Sequence, residues 1–100
     1  MGARFWVHRL GTDGALALDL QANIFDGLNT RVMAPLVHHA DVARLIPRLN
    51  PRFEIGGDVY VLMTQFIGAV PLKDLGERLI DLSHRSDDIT AATDSLFQGF

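Results

Sequence analysis

The chain has 100 residues, of which 48% are apolar and 21% charged, and its formal net charge is −3. This length and balance predict a single folded domain with a modest core, and they exclude an intrinsically disordered chain. The sequence has no cysteine, so it excludes a disulfide framework and a catalytic or metal-binding thiolate.

The distribution of apolar and charged residues indicates the location and the class of partner. Residues 1–14 lack an apolar core of signal-peptide length, and the stretch VYVLMTQFIGAVPL (59–72) is too short and too polar to span a bilayer. We therefore predict a cytoplasmic protein without a membrane partner. Residues 1–70 hold six basic and six acidic residues, whereas residues 71–100 hold three basic and six acidic. Without a basic stripe, direct nucleic-acid binding is not expected.

The first half of the chain predicts three β-strands. RFWVHRL (4–10) and ALALDLQANIF (15–25) alternate apolar and polar positions around the turn residues GTDG, which predicts a hairpin. After the loop DGLNT (26–30), RVMAPLV (31–37) predicts a third strand. Pro35 indicates that this strand lies at an edge or leaves the hydrogen-bond ladder there.

The second half continues the β pattern. RFEI and VYVLMT flank GGD, which predicts a second hairpin over residues 52–64, and FIGAV (66–70) predicts a further strand. In residues 38–51, prolines leave room only for a short helix. Residues 71–82 carry leucines at roughly helical spacing but also Gly76, so both a short helix and a strand remain open for this segment.

The C-terminal segment predicts an α-helix of about twelve residues. Ser86 is a suitable N-cap, and the two aspartates after it suit the positive end of the helix dipole. Ile89, Ala92 and Leu96 fall on one face, and Gly99 stands where a glycine commonly ends a helix. An isolated helix of this length is marginal, so it is expected to pack on the sheet.

The residue types used in catalysis are present without a diagnostic arrangement. His38 and His39 are adjacent, so on an extended segment they would point to opposite faces. LSHRSDD (82–88) gathers polar side chains locally, which fits a helix start better than a catalytic triad. Arg31 is the first residue of the third predicted strand. Its side chain is either an exposed charge on that strand or a group that binds phosphate, and both interpretations remain open. There is no P-loop, dinucleotide fingerprint or HExxH, so neither a metal nor a cofactor is predicted.

The sequence closes on LFQGF, which places two aromatic rings where termini are usually polar. If Gly99 ends the helix, the usual local partners of the Phe100 ring would be Ser95 and Asp94, and both are polar. Burying a phenylalanine contributes roughly 1.5–3 kcal/mol. The ring therefore either folds back onto its own sheet or inserts into a partner, and both remain open.

Six segments together resemble the CcdB toxin family, the small toxins of bacterial addiction modules that poison DNA gyrase. The match runs in register over nearly the whole chain. DLSHR combined with an aromatic–x–Gly–apolar end is its most specific part. The segments are LDLQANIFD (18–26), RVMAPL (31–36), IGGDVYVLMT (55–64), AVPLKDLG (69–76), DLSHRSDDI (81–89) and LFQGF (96–100).

The resemblance implies a mainly β fold with one C-terminal α-helix, in which an SH3-like antiparallel sheet of five strands accompanies a small second sheet. It further implies a homodimer that has no catalytic residue and no cofactor. The implied partners are the DNA gyrase A subunit, which the toxin traps in the cleaved complex, and a cognate antitoxin that neutralises it.

The resemblance also locates a gyrase-binding surface at the end of the helix. Trp-Gly-Ile carries the binding in the plasmid-borne toxin, and Gln98, Gly99 and Phe100 occupy those positions here. Loss of a hot-spot tryptophan commonly costs about 2 kcal/mol or more, and Phe100 adds aromatic area that offsets part of it. The other residues assigned to this surface are Phe97, Asp94 (where the family has an amide side chain), Ile24 and Phe25.

Three functions remain open from the sequence. The first is a toxin that poisons gyrase and is neutralised by its antitoxin. The second is a CcdB-like protein that keeps antitoxin binding but has lost gyrase poisoning, because Gln98 replaces the tryptophan. The third is an endoribonuclease like the MazF and Kid toxins, which share the fold. It would need a basic RNA surface and an acid–base group beside Arg31, and the balanced charge of residues 1–70 argues against it.

Overall fold

The computed structural model describes residues 2–11 and 13–99, which form seven β-strands, five short 3₁₀ turns and one α-helix. The strands are β1 (Trp6–Leu10), β2 (Leu16–Asp19), β3 (Thr30–His38), β4 (Arg52–Ile55), β5 (Asp58–Leu62), β6 (Gly68–Pro71) and β7 (Leu75–Asp81). The helix is α1 (Ser86–Gln98). Within the described residues, no helix has the length and apolar character needed to cross a membrane.

All seven strands pair in antiparallel fashion in one branched sheet, with β3 at the branch. The order is β4-β5-β3-β2-β1-β7, and β6 pairs with the first half of β3. The larger arm of the sheet is curled and contains five strands in the order β7-β1-β2-β3-β6. The smaller arm contains β4, β5 and the second half of β3. This arrangement confirms the fold class, and the two sheets implied by the resemblance share β3.

Pro35 lies inside the sheet, so of the two predicted alternatives the edge position is wrong, whereas a break in one hydrogen-bond ladder at Pro35 is confirmed. It is opposite Ala17 of β2 on one side, while on the other side β3 pairs with β6 up to Met33 and with β5 from Leu36. The Pro35 carbonyl accepts a hydrogen bond from the Met63 N–H on that second side, at 2.8 Å. Because the N–H and C=O of a strand residue point the same way, the missing N–H falls at the gap between the β6 and β5 pairings.

The second predicted strand is shorter than expected, because it ends at Asp19 rather than continuing to Phe25. The Asp19 carboxylate accepts the Gln21 N–H at 3.0 Å, a local turn that draws the backbone out of the ladder. Residues Asn23–Phe25 then form a 3₁₀ turn. Side-chain hydrogen bonds to the backbone thus replace strand pairing in this segment.

The hairpin predicted over residues 52–64 is confirmed. Gly56 and Gly57 form its two-residue turn, with φ values of +62° and +89°. Positive φ at both central residues is typical of the type I′ turn that matches strand twist, and it favours glycine at both positions. For residues 71–82, the sequence left both a short helix and a strand possible. The structure shows mainly a strand there, β7, which pairs with β1.

The helix α1 begins at Ser86, the residue predicted to cap it, and therefore one residue earlier than expected. Ser86 is already helical and Arg85 is the N-cap residue, without a side-chain capping bond, so the prediction that Ser86 caps the helix is wrong. A 3₁₀ turn, Ser83–Arg85, leads directly into α1 and leaves no place for a separate cap. At the other end, Gly99 has φ +82° and its N–H donates to the Ser95 carbonyl at 3.0 Å. This confirms the prediction that Gly99 ends the helix.

The helix α1 packs against the core of the domain through its buried side. Ile89 and Ala92 on that helix are buried, as predicted. Burying an isoleucine contributes roughly 1.5–3 kcal/mol, which helps to hold a helix that would be marginal alone. Ile89 belongs to a core cluster with Phe5, Val7, Leu16, Leu18, Ala34, Leu36, Phe53, Leu62 and Leu82.

Candidate target-binding surface

A groove of about 390 Å³ lies between α1 and the 3₁₀ turn at residues 23–25. Phe25 lines it from the turn and Phe97 from the last turn of α1, while Val32 and Ile67 line it from the sheet side. The fold therefore brings two predicted site residues from opposite halves of the chain to one groove.

The apolar side chains around this groove are unusually exposed. Phe97 is 69% exposed, Phe25 is 54% exposed and Ile24 is 84% exposed. Ile24 does not line the groove itself but stands beside Phe25 on the same 3₁₀ turn. Contiguous exposed apolar side chains on a small protein often mark an interaction site. We call these three residues, together with the end of α1, the candidate surface.

The end of α1 supplies the remaining predicted residues of the candidate surface. Asp94, Gln98 and Gly99 are exposed there. The Gly99 carbonyl accepts a hydrogen bond from the Arg48 guanidinium at 3.2 Å. Phe100, which the sequence analysis assigns to this surface, lies outside the described residues.

A buried ionic network lies behind the 3₁₀ turn. The Arg31 guanidinium donates two hydrogen bonds to Asp19, at 2.7 and 2.9 Å, and a third to Asp26 at 2.9 Å. The Arg31 side chain is 3% exposed and that of Asp19 is fully buried. The hydrogen bond to Asp19 raises the pKa of Arg31 above its ordinary value, against the opposing effect of burial. The Arg31 guanidinium therefore remains a cation at physiological pH.

Gln21 connects this network to the candidate surface. Its backbone N–H donates to the Asp19 carboxylate, and its side-chain amide donates to the Phe25 carbonyl at 2.7 Å. The side-chain oxygen of Gln21 accepts the Val32 N–H at 3.0 Å. Because Gln21 is itself buried, these bonds hold the backbone that carries Ile24 and Phe25 in one position.

The family assignment rests on a match along the chain. Residues 4–99 match the family model described as CcdB protein. The chain belongs to the CcdB family. This is a family of toxins from toxin–antitoxin modules whose known role is the poisoning of DNA gyrase. The matched residues include the 3₁₀ turn, the Arg31 network and α1.

In this CcdB-family chain, both interpretations of Arg31 from the sequence are wrong. It is neither an exposed strand charge nor a phosphate-binding group, because two carboxylates enclose its guanidinium. Sequence reasoning missed Asp19, Gln21 and Asp26 as supporting residues. The available signal was a lone aspartate within the apolar run ALALDL (15–20), which has to be paired if that strand is buried.

The adjacent histidines do not point to opposite faces. The rings of His38 and His39 have centroids 4.8 Å apart, because His39 begins a 3₁₀ turn and the chain is no longer extended there. His38 also contacts the carboxylate of Asp58 at 3.3 Å. Among residues 2–11 and 13–99, no group of three or more histidine or acidic side chains is placed to hold a metal ion.

Proposed function

We propose that this CcdB-family protein is a non-enzymatic toxin that binds the A subunit of DNA gyrase through the candidate surface and is neutralised by a cognate antitoxin. One observation carries the proposal: Phe25 and Phe97, both more than half exposed, flank a single groove at the end of α1. Large rings in this position lose water contact only when a partner covers them.

The mode of binding follows from the geometry of the helix end. Gly99 has no Cβ and nothing lies within 4 Å of the place where one would be, so a target surface can approach this backbone closely. The rigid support of the 3₁₀ turn by Gln21 lowers the entropy lost on binding. Aromatic rings at the centre of such a contact are typical hot spots.

A homodimer is part of the proposal. Two copies of a chain with 48% apolar residues would present two candidate surfaces to one target. Simultaneous engagement of both raises the apparent affinity without any new contact.

The absence of catalysis is also proposed, and the position of Arg31 supports it. The ribonuclease alternative requires that arginine beside an acid–base group and within reach of RNA. Arg31 has carboxylates beside it, but they bind it as ion-pair partners, and its 3% exposure keeps it from a substrate phosphate.

Binding to an isolated gyrase A fragment tests the proposal directly. Phe97→Ala should weaken binding by about tenfold or more, as expected for a hot-spot ring. Phe66→Ala is the matched control, because Phe66 is 64% exposed but lines a different depression, with Leu10 and Met33. Equal affinities of the two variants would contradict the assignment of the surface.

Removal of residues 99–100 separates binding from folding. We expect this deletion to abolish gyrase binding, while the free energy of unfolding falls by less than about 1 kcal/mol, as for a surface change. A loss of several kcal/mol in a denaturant melt would instead identify Phe100 as a core residue.

A second candidate function is favoured by Gln98, which is exposed and offers no ring where the family has a hot-spot tryptophan. In that case the protein binds its antitoxin but no longer poisons gyrase. Induced expression in a gyrase-sensitive bacterium and in a strain with a resistant gyrase A subunit distinguishes the two. Killing of the sensitive strain alone supports the toxin, and survival of both with retained antitoxin binding supports the second function.

A further inference from the structure

A cleft of about 680 Å³ lies between α1 and the loop that precedes β4, and we call it the arginine cleft. Its volume falls within the range of about 300–1,000 Å³ that is typical of ligand-binding clefts. Arg48 and Arg52 line it from the loop and from the start of β4, while Asp88 and Ala91 line it from the helix. Among the described residues, none lines both this cleft and the groove of the candidate surface, so each can be occupied without the other.

Hydrogen bonds hold the loop wall of the arginine cleft in place. Buried Asn50 accepts the Ile46 N–H on its side-chain oxygen at 2.8 Å and donates to the Leu62 carbonyl at 3.0 Å. The Thr64 hydroxyl donates to the Leu49 carbonyl. The loop is thus tied to β5 and to the turn after it. Because this wall is preformed, little conformational entropy of the protein is lost when a ligand binds.

The arginine cleft carries an excess of positive charge. Three arginines and one aspartate line it, in a chain whose formal net charge is −3. The charge of Arg85 is compensated, because its guanidinium donates to the Asp88 carboxylate at 2.7 Å. Arg48 donates to the Gly99 carbonyl at 3.2 Å, a neutral acceptor that leaves the positive charge uncompensated. Arg48 and the third arginine, Arg52, therefore make the cleft locally cationic.

Arg52 is the cation of the cleft that is most accessible to a ligand. Its side chain is exposed, and within residues 2–11 and 13–99 its guanidinium has neither a hydrogen bond nor an ion pair, not even with Glu54 of the same strand. Its backbone is held, since its carbonyl accepts a hydrogen bond from the Arg85 guanidinium at 3.3 Å. A guanidinium without partners keeps all of its N–H donors, which match a carboxylate in a bidentate arrangement.

Apolar side chains complete the lining of the arginine cleft. Leu45 is 41% exposed, and Pro47 and Ala91 are exposed beside the same cleft. A ligand gains free energy by removing this apolar area from water, which a bare anion such as phosphate does only in part. A nucleic-acid backbone would add many negative charges next to a protein that is acidic overall. The lining therefore favours a ligand that combines carboxylates with apolar side chains.

We propose that the arginine cleft is a docking site for an acidic segment of a partner protein. Carboxylates of that segment pair with Arg52 and Arg48, and its apolar side chains cover Leu45 and Ala91. Charge complementarity selects the segment, and the preformed wall of the cleft lowers the entropy lost when it binds. The site is separate from the candidate surface and does not depend on the binding of gyrase.

A displayed library of short random peptides, selected on the full-length wild-type protein, supplies the probes. The selected peptides should be enriched in aspartate and glutamate next to leucine, isoleucine or phenylalanine. Arg52→Gln should weaken their binding by about three- to tenfold, less than for a buried charged hydrogen bond because Arg52 is exposed. Arg44→Gln is the matched control, since Arg44 is an exposed arginine of the same loop that does not line the cleft. Equal losses in the two variants overturn the proposal, because binding would then follow net charge alone.

A second pair of variants locates the bound peptide on the protein. Ala91→Glu places a carboxylate in the cleft at an exposed helical position, where glutamate is a good helix former, and should weaken binding of the same peptides. Thr90→Glu adds the same charge to the neighbouring residue of α1, which is exposed but lines the groove of the candidate surface instead, and should have little effect. A larger loss in Thr90→Glu than in Ala91→Glu overturns the proposal. Circular dichroism equal to that of the wild type shows that each variant is folded.

Competition with a short single-stranded DNA decides the class of ligand. The DNA should leave the peptides bound, and displacement of the peptides would identify a site for a phosphate backbone and overturn the assignment. A selection that yields no peptide sensitive to Arg52→Gln overturns it as well. Since none of these measurements uses gyrase A, their outcome is the same whether the proposed function stands or fails.

Discussion

Replacing Arg31 with methionine should be among the most destabilising single changes in this protein. Asp19 is fully buried and accepts three hydrogen bonds, two of them from Arg31 and one from the Gln21 N–H. Arg31→Met removes two of the three and leaves a carboxylate in the core without its cation. Breaking a buried pair in this way costs about 3–5 kcal/mol. Domains of this size are typically stable by only about 5–15 kcal/mol.

A urea melt followed by circular dichroism measures this loss. At a slope of about 2 kcal/mol per M, the midpoint should fall by roughly 1.5–2.5 M. Arg9→Met is the matched control, because Arg9 pairs with Glu77 at 3.8 Å and the two side chains are 50% and 70% exposed. Exposed pairs contribute about 0–1 kcal/mol. If the two variants unfold within about 0.5 kcal/mol of each other, the buried network does not stabilise the fold as described.

Three further predictions concern target binding and assembly. Gln98→Trp should strengthen binding to gyrase A by about tenfold or more by restoring the hot-spot ring, and an unchanged dissociation constant would show that the target does not cover this position. His38→Ala, His39→Ala and His84→Ala should each retain killing, provided circular dichroism shows a folded protein; a folded variant that no longer kills would favour the ribonuclease. Light scattering at micromolar concentration should give twice the 11.0 kDa chain mass, and a monomer mass would refute the dimer.

Local signals explain the parts of the fold that the sequence predicted. Gly56 and Gly57 specify their turn by backbone conformation alone, and Gly99 ends α1 in the same way. Residues 71–82 stayed open because their leucine spacing is compatible with a helix, and only pairing with β1 makes the segment a strand. That pairing places Trp6 opposite Asp81 and Leu10 opposite Leu75, residues far apart in the sequence, so no local pattern predicts it.

The supporting network of the candidate surface was missed for a related reason. Asp19 of β2 is opposite Met33 of β3, and Arg31 precedes Met33 by two residues on the same face of the sheet. A diagonal contact of this kind is within reach of a long side chain. It becomes visible only when the register between the two strands is known, and a one-residue slip would place Arg31 on the other face.

The candidate surface is therefore built from exposed residues held by supports that are separate from them. Gln21 and the Arg31 network fix the turn that carries Ile24 and Phe25, while Gly99 ends the helix that carries Phe97. Substitutions at exposed positions usually change the free energy of unfolding by no more than about 0.5 kcal/mol. Substitutions that break the buried ionic network lower it by about 3–5 kcal/mol. A glutamine at exposed position 98 is thus compatible with an intact fold, and under the proposed function its consequence falls on recognition of gyrase A.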